Sequence, residues 1–191
     1  MILMQTHGLT EKNMTNKRFR QTEHDIFIAY YKLKNHSDTK SLAHHAGISR
    51  STLYRHHQKS QNIPDDYEDY LLLTYNRLIQ DCLRSKTTSL SNIYLRTLVF
   101  ISNHKEVFVA LFSDGHQGII KKMLANLGPR ITAFLCLDSK MSTAYIVYEN
   151  EILGIIEVWS KHNFSSTKLD KTLKDILYLT STAPERLAPL K

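Results

Sequence analysis

The run Ser49-Arg50-Ser51-Thr52-Leu53-Tyr54-Arg55-His56 gathers hydroxyls, two guanidinium groups, a phenol and an imidazole into eight consecutive positions. That inventory suits a polyanion. Arginine pairs bidentately with guanine O6/N7 or with phosphate, and threonine offers a hydroxyl to phosphate or a methyl to thymine. The charge of the chain agrees. Its 191 residues include 25 Lys+Arg and 18 Asp+Glu, a formal net charge of +7, and the pI is about 9.3. Residues 1–60 hold ten Lys/Arg against four Asp/Glu, with seven of the ten histidines, whereas the remainder holds fifteen against fourteen. The excess is therefore local: a basic head on a near-neutral body, the division expected of a polyanion-binding module on a separate scaffold.

Two adjacent pairs, His44-His45 and His56-His57, raise the possibility of a metal. Neighbouring residues on a helix point about 100° apart, so neither pair chelates one ion from a single face. No Cys or carboxylate stands at ligand spacing beside them, and the expectation is no metal and no cofactor. A Gly-rich phosphate loop, a nucleophile elbow and an H-E-x-x-H helix are all missing from the sequence, so it carries no enzyme motif. Cys82 and Cys136 are 54 positions apart, neither a disulfide framework nor a zinc site, which favours a reducing compartment and buried thiols. Apolar runs such as Ile131–Leu137 fall far short of the ~20 residues that span a bilayer. The opening MILM turns polar at Gln5 and Thr6 and lacks a signal-peptide core. A soluble, cytoplasmic chain with no membrane partner is expected.

The elements that must position the basic cluster are helices. Ile26, Phe27, Tyr30, Tyr31 and Leu33 recur at helical spacing and predict an amphipathic helix over 21–34. Ser37 or Asp38 can cap a second helix, 39–46, which places Leu42, Ala43 and Ala46 on one face. Gly47 ends it, because a left-handed residue after a helix is free of steric cost only for glycine. Ser49 caps a third helix, Arg50–His56. Two short helices joined by a Gly-containing turn form the helix-turn-helix pattern: small Ala43 and Ala46 allow close crossing, and Ile48 and Leu53 lock the angle. Further helices are predicted over 66–85, 89–103, 105–112, 114–127 (stopped by Gly128-Pro129), 130–137, 141–162 and 167–180. The expected class is all-α: a flexible arm (1–16), a three-helix DNA-binding head (17–65), a helical body (66–182) and a tail (183–191), about nine helices in all.

The stretch Ser41-Leu-Ala-His-His-Ala-Gly-Ile-Ser-Arg-Ser-Thr-Leu-Tyr-Arg-His56 resembles the DNA-binding signature of the TetR/AcrR family of bacterial transcription regulators. Leu42-Ala43, Ala46-Gly47-Ile48-Ser49 and Thr52-Leu53-Tyr54-Arg55-His56 match that signature in register and without a gap. The chain departs from it at Ser51, where Gly is frequent, at His57, where Phe is usual, and at Ser60, where Lys normally follows; Lys59 lies one place earlier. The match covers residues 20–63. Tyr145, Gly154–Trp159 and Phe164, followed by a capped polar helix, are similar to the last two helices of one subgroup, in which they pair across a twofold axis.

The resemblance implies a major-groove helix, Arg50–His56, with Arg50, Ser51 and Thr52 toward base edges. Tyr54, Arg55, His56 and Lys59 would lie near the phosphate backbone, joined by Thr39 and Lys40; Ser49 belongs to the same DNA-binding set, and Arg18 and Arg20 would add phosphate or minor-groove contacts from the arm. It implies a homodimer on a palindromic double-stranded DNA operator. The expected interface is Tyr148, Ile152, Ile155, Ile156 and Trp159 with Leu169, Leu173, Ile176 and Leu177; core within one subunit is the competing reading of the same residues. A small-molecule effector would lie among Phe100, Phe108, Phe112, Met123, Phe134 and Tyr145, an aromatic stripe that is more often plain core than a pocket. The function expected is a DNA-binding regulator, a repressor released by a ligand. The alternative is a helical protein-interaction adaptor carrying a helix-turn-helix module.

Overall fold

The computed structural model describes residues 16–33, 38–57, 63–85, 88–113, 118–134 and 142–186. Among these the chain is all-α, with nine α-helices and no strand. In chain order they are α1 (Lys17–Lys32), α2 (Thr39–His45), α3 (Arg50–His56), α4 (Ile63–Arg84), α5 (Leu90–Asn103), α6 (Lys105–Ser113), α7 (Gly118–Phe134), α8 (Ser142–Ser160) and α9 (Leu169–Arg186). A 3₁₀ turn, Ser166–Lys168, precedes α9. No described helix is long and apolar enough to cross a membrane.

Contacts divide the chain into two compact units, Met1–Thr74 and Tyr75–Lys191. The division falls inside α4, after Thr74, nine residues beyond the 65/66 boundary read from the sequence. Tyr67 of α4 stacks on Phe27 of α1 with centroids 4.3 Å apart, and Ile63, Tyr67, Tyr70 and Leu71 are all buried. The first half of the helix thus belongs to the core of the first unit.

In that unit the starts of α1, α2 and α3 are each fixed by a local acceptor. Asn16 Oδ1 accepts from the amides of Arg18 and Phe19, Asp38 Oδ1 from Ser41 at 2.7 Å, and Ser49 Oγ from Thr52 at 3.0 Å, each satisfying an amide the helix leaves orphaned. The turn between α2 and α3 closes by a Schellman pair: Ile48 N donates to Ala43 O and Gly47 N to His44 O, with Gly47 at φ +65°, the left-handed geometry that motif requires. Leu42, Ala43, Ala46 and Leu53 are buried and hold α2 against α3.

In the second unit α8 packs on α6, α7 and α9, and α9 also meets α5. Its centre is aromatic. Tyr75, Phe100, Phe108, Phe164 and Trp159 form a chain of ring contacts with centroids 5.3–6.4 Å apart, and Phe112 reaches Phe164 edge-on. Asn163 and Phe164 both adopt positive φ, 51° and 49°, which costs an L-residue roughly 1–2 kcal/mol. The turn is held because Phe164 is fully buried against Trp159, whose indole Nε1 donates to Ser165 O at 2.9 Å.

The Gly128-Pro129 pair does not stop a helix, contrary to the sequence reading; α7 runs from Gly118 through it to Phe134. The donor that Pro129 lacks would have served Ala125, which is exposed along with Asn126 and Pro129, so water can satisfy that carbonyl. Meanwhile Leu124, Leu127 and Ile131 continue one buried face across the proline. Burial on that face offsets the usual cost of an interior proline, about 3 kcal/mol.

Candidate nucleic-acid interface

Burying Leu42, Ala43, Ala46 and Leu53 turns most of the polar side chains of the α2–turn–α3 unit outward. Lys40, Ser49, Arg50, Ser51, Tyr54 and Arg55 are exposed and Thr39 and Thr52 half-buried; Tyr54, a large ring, is 54% exposed. The hydroxyls and one guanidinium are organised before any partner arrives. Ser49 Oγ lies 2.8 Å from Ser51 Oγ and 2.9 Å from Thr52 Oγ1, and Arg55 Nη2 donates to Thr52 Oγ1 at 3.2 Å. Arg18 and Arg20 on α1 are exposed as well. Lys59 lies outside the described residues.

His56 is placed differently from its expected backbone-facing role. Its ring is turned into the head, stacked on Phe19 at 4.5 Å, with Nδ1 2.5 Å from Glu23 Oε1. His57, the C-cap of α3, is 4% exposed. Its Nε2 lies 3.0 Å from Glu23 Oε2 and its Nδ1 3.0 Å from Asp66 Oδ2. Glu23 itself is 3% exposed. Burial pushes the Glu23 carboxyl up, but hydrogen bonds and charge from His56 and His57 outweigh it and hold the group below its ordinary value. Burial likewise opposes charge on His57, and the Glu23 and then Asp66 carboxylates override it, holding the imidazole above its ordinary value. Burial, helped by the nearby Tyr70 and Glu23, pushes the Tyr67 phenol far up.

Sequence reasoning missed this cluster. Glu23 and His57 are 34 positions apart, and neither shows more than an ordinary polar residue in an amphipathic pattern. The one available signal was His57 itself, an imidazole at the apolar position that closes the motif. The cluster is a set of direct hydrogen bonds: both His57 nitrogens and His56 Nδ1 each face a carboxylate oxygen, so the four groups do not converge on a shared point. Among the described residues no group of three His, Cys, Asp or Glu side chains is arranged to hold a metal ion.

The nine residues expected at a dimer interface separate into two sets. Ile152, Ile156, Trp159 and Ile176 are buried within the single chain and serve as its core. Ile155, Leu169, Leu173 and Leu177 are half-buried, and the side chain of Tyr148 lies outside the described residues. Two residues not singled out from the sequence, Val158 (58% exposed) and Tyr178 (66% exposed), are large apolar groups on α8 and α9 open to solvent. A groove of about 160 Å³ runs between these helices, lined by Ile155, Val158, Trp159, His162, Lys171 and Thr172 among others.

Of the expected effector-pocket residues, Phe100, Phe108 and Met123 are buried and Phe112 is half-buried. Phe100 packs on Phe108, and Phe108 and Phe112 on Phe164, so with the buried Met123 they serve as core; the side chains of Phe134 and Tyr145 lie outside the described residues. Cys82 is a half-buried free thiol whose Sγ lies 3.8 Å from the Thr88 hydroxyl. Comparisons with protein-family models, with curated proteins and with solved structures give no match.

Proposed function

We propose that the chain is a DNA-binding transcription regulator of TetR type that reads duplex DNA through α3. The observation that carries this reading is the division of one short unit into two faces. Leu42, Ala43, Ala46 and Leu53 are buried, while Lys40, Ser49, Arg50, Ser51, Tyr54 and Arg55 are exposed together on α2, the turn and α3. The in-register likeness of residues 41–56 to the family's signature supports it, as does the confinement of excess positive charge to the first sixty residues.

In this reading Arg50 and Ser51 reach base edges, Arg55 is presented by Thr52, and Tyr54, Lys40 and Thr39 hold phosphates. Two heads about one DNA turn apart read a palindrome, which requires a dimer. The exposed face of α8 and α9, with Val158, Tyr178 and Ile155, is the surface proposed for it. An effector would act by binding one arrangement of the dimer better than another, changing DNA affinity only by that difference.

The test is equilibrium binding of the full chain to duplex pools at several salt concentrations. Tight, salt-sensitive binding that enriches a palindrome is expected. Failure to bind any duplex at low salt, or full specific binding by both Arg50→Ala and Arg55→Ala, overturns the reading.

A further inference from the structure

We infer that His57 is a proton-operated clamp that positions α3 within the head: the doubly protonated ring ties α1 and α4 to the end of α3, and loss of one proton releases it. The geometry requires both protons. Each ring nitrogen lies 3.0 Å from a carboxylate oxygen, Glu23 on one side and Asp66 on the other. A neutral imidazole has one N–H and one lone pair, and an ionised carboxylate only accepts. Removing either proton therefore sets a lone pair against a carboxylate oxygen at hydrogen-bond distance.

Burial makes that loss consequential. His57 and Glu23 are both almost fully enclosed, so on the Glu23 side water cannot replace the missing donor, and an uncompensated buried charge is far more costly than an exposed one. The groups facing the ring are Glu23 from α1, Asp66 from α4 and, from α3 itself, His56, which holds the other Glu23 oxygen. Tyr67, Tyr70 and Arg20 lie further out in the same field. Without the second proton, either Glu23 keeps only its His56 bond or Asp66 loses its partner on α3, according to which ring nitrogen keeps its N–H.

The position of the clamp gives it leverage. His57 caps α3, its amide donating to Leu53 O at 2.8 Å, and Arg50 and Ser51 stand at the other end of the same seven-residue helix. A tilt at His57 displaces the exposed groups at that far end. Because protonated His57 is favoured by folding, the clamp is closed below the ordinary imidazole value of 6.5 and opens as pH rises through the higher folded-state value.

Its consequence for DNA rests on the function proposed above, so the experiment has arms that fail separately. The full chain is titrated from about pH 5.5 to about pH 9, spanning the imidazole range, by histidine-ring ¹H–¹⁵N NMR. Thermal midpoints and binding to a fixed duplex are followed over the same range at constant ionic strength, for wild type and His57→Phe. Expected are a His57 ring protonated on both nitrogens at neutral pH, a wild-type thermal midpoint that falls on the alkaline side and is flat by comparison in His57→Phe, and duplex affinity that falls several-fold with it. A His57 ring that is neutral at pH 7, or that titrates at or below 6.5, overturns the clamp; this arm uses wild type alone and stands even if His57→Phe does not fold. Parallel thermal profiles in wild type and variant also overturn it. Ring and thermal behaviour as expected with no duplex binding at any pH supports the clamp and overturns the DNA-binding reading instead.

Discussion

Glu23 and His57 meet through Oε2 and Nε2 at 3.0 Å, inside the head and 34 positions apart in the chain. The contact joins the middle of α1 to the end of the helix whose exposed face carries Arg50, Ser51 and Arg55. A buried carboxylate with two imidazoles on it is a costly arrangement unless every member is satisfied, and here both Glu23 oxygens have a ring nitrogen.

Glu23→Gln is expected to destabilise the head by about 3–5 kcal/mol, since it leaves His57 buried without its principal counter-charge. Asp66→Asn should cost less, because the Asp66 carboxylate is partly open to solvent. Urea unfolding followed by circular dichroism reads both; equal effects would mean that Glu23 does not anchor the cluster.

Stability should pass through a plateau as pH is varied. Glu23 is held below its ordinary value of 4.5, so its contribution is complete above that value and is lost as pH falls through the lower folded-state one. His57 is held above 6.5, so its contribution is complete below 6.5 and is lost as pH rises through the folded-state value. The cluster is therefore strongest between these limits. A thermal midpoint that climbs steadily from pH 6.5 into the alkaline range would contradict this assignment.

Thr52→Val should weaken duplex binding about threefold to tenfold with the fold intact, because Arg55 loses the hydroxyl that holds its guanidinium at 3.2 Å, a hydrogen bond of roughly 1 kcal/mol. Fluorescence anisotropy measures it. Unchanged affinity would remove the presentation role given to Thr52.

Val158→Glu and Tyr178→Glu place charges on the exposed face of α8 and α9 without touching the core. The expected outcome is a shift from dimer to monomer in sedimentation at micromolar concentration, with helicity retained. A wild-type chain that sediments as a monomer would discard the dimer itself.

Phe164→Ala is expected to cost about 3–5 kcal/mol, since it removes the ring that fills the space between Trp159, Phe108 and Phe112 and justifies two consecutive left-handed residues. Gly47→Ala should cost about 1–2 kcal/mol through backbone conformation alone, because the space around its Cβ position is open. Differential scanning calorimetry separates the two, and a Gly47→Ala loss as large as that of Phe164→Ala would mean the turn is not limited by φ.

The features legible in the residues were those whose causes lie within a few positions. Asp38 and Ser49 cap α2 and α3 because an oxygen reaches an amide three residues on. Gly47 takes the left-handed turn because the chain must reverse there, and Leu42, Ala43 and Leu53 are buried because a 3.6-residue period puts them on one face. The all-α class and the outward set at Arg50, Ser51 and Tyr54 follow from the same local rules. Tertiary structure decided what depends on partners distant in sequence. It turned His56 inward toward Glu23, gave His57 two carboxylates, carried α7 through Pro129 on the strength of a shared buried face, and divided Trp159 and Ile176 in the core from Val158 and Tyr178 in solvent. A helix pattern says which residues share a face, but only the packing of other helices says what that face meets. Burial and paired charge, which fix the state of Glu23 and His57, exist only once the chain has folded.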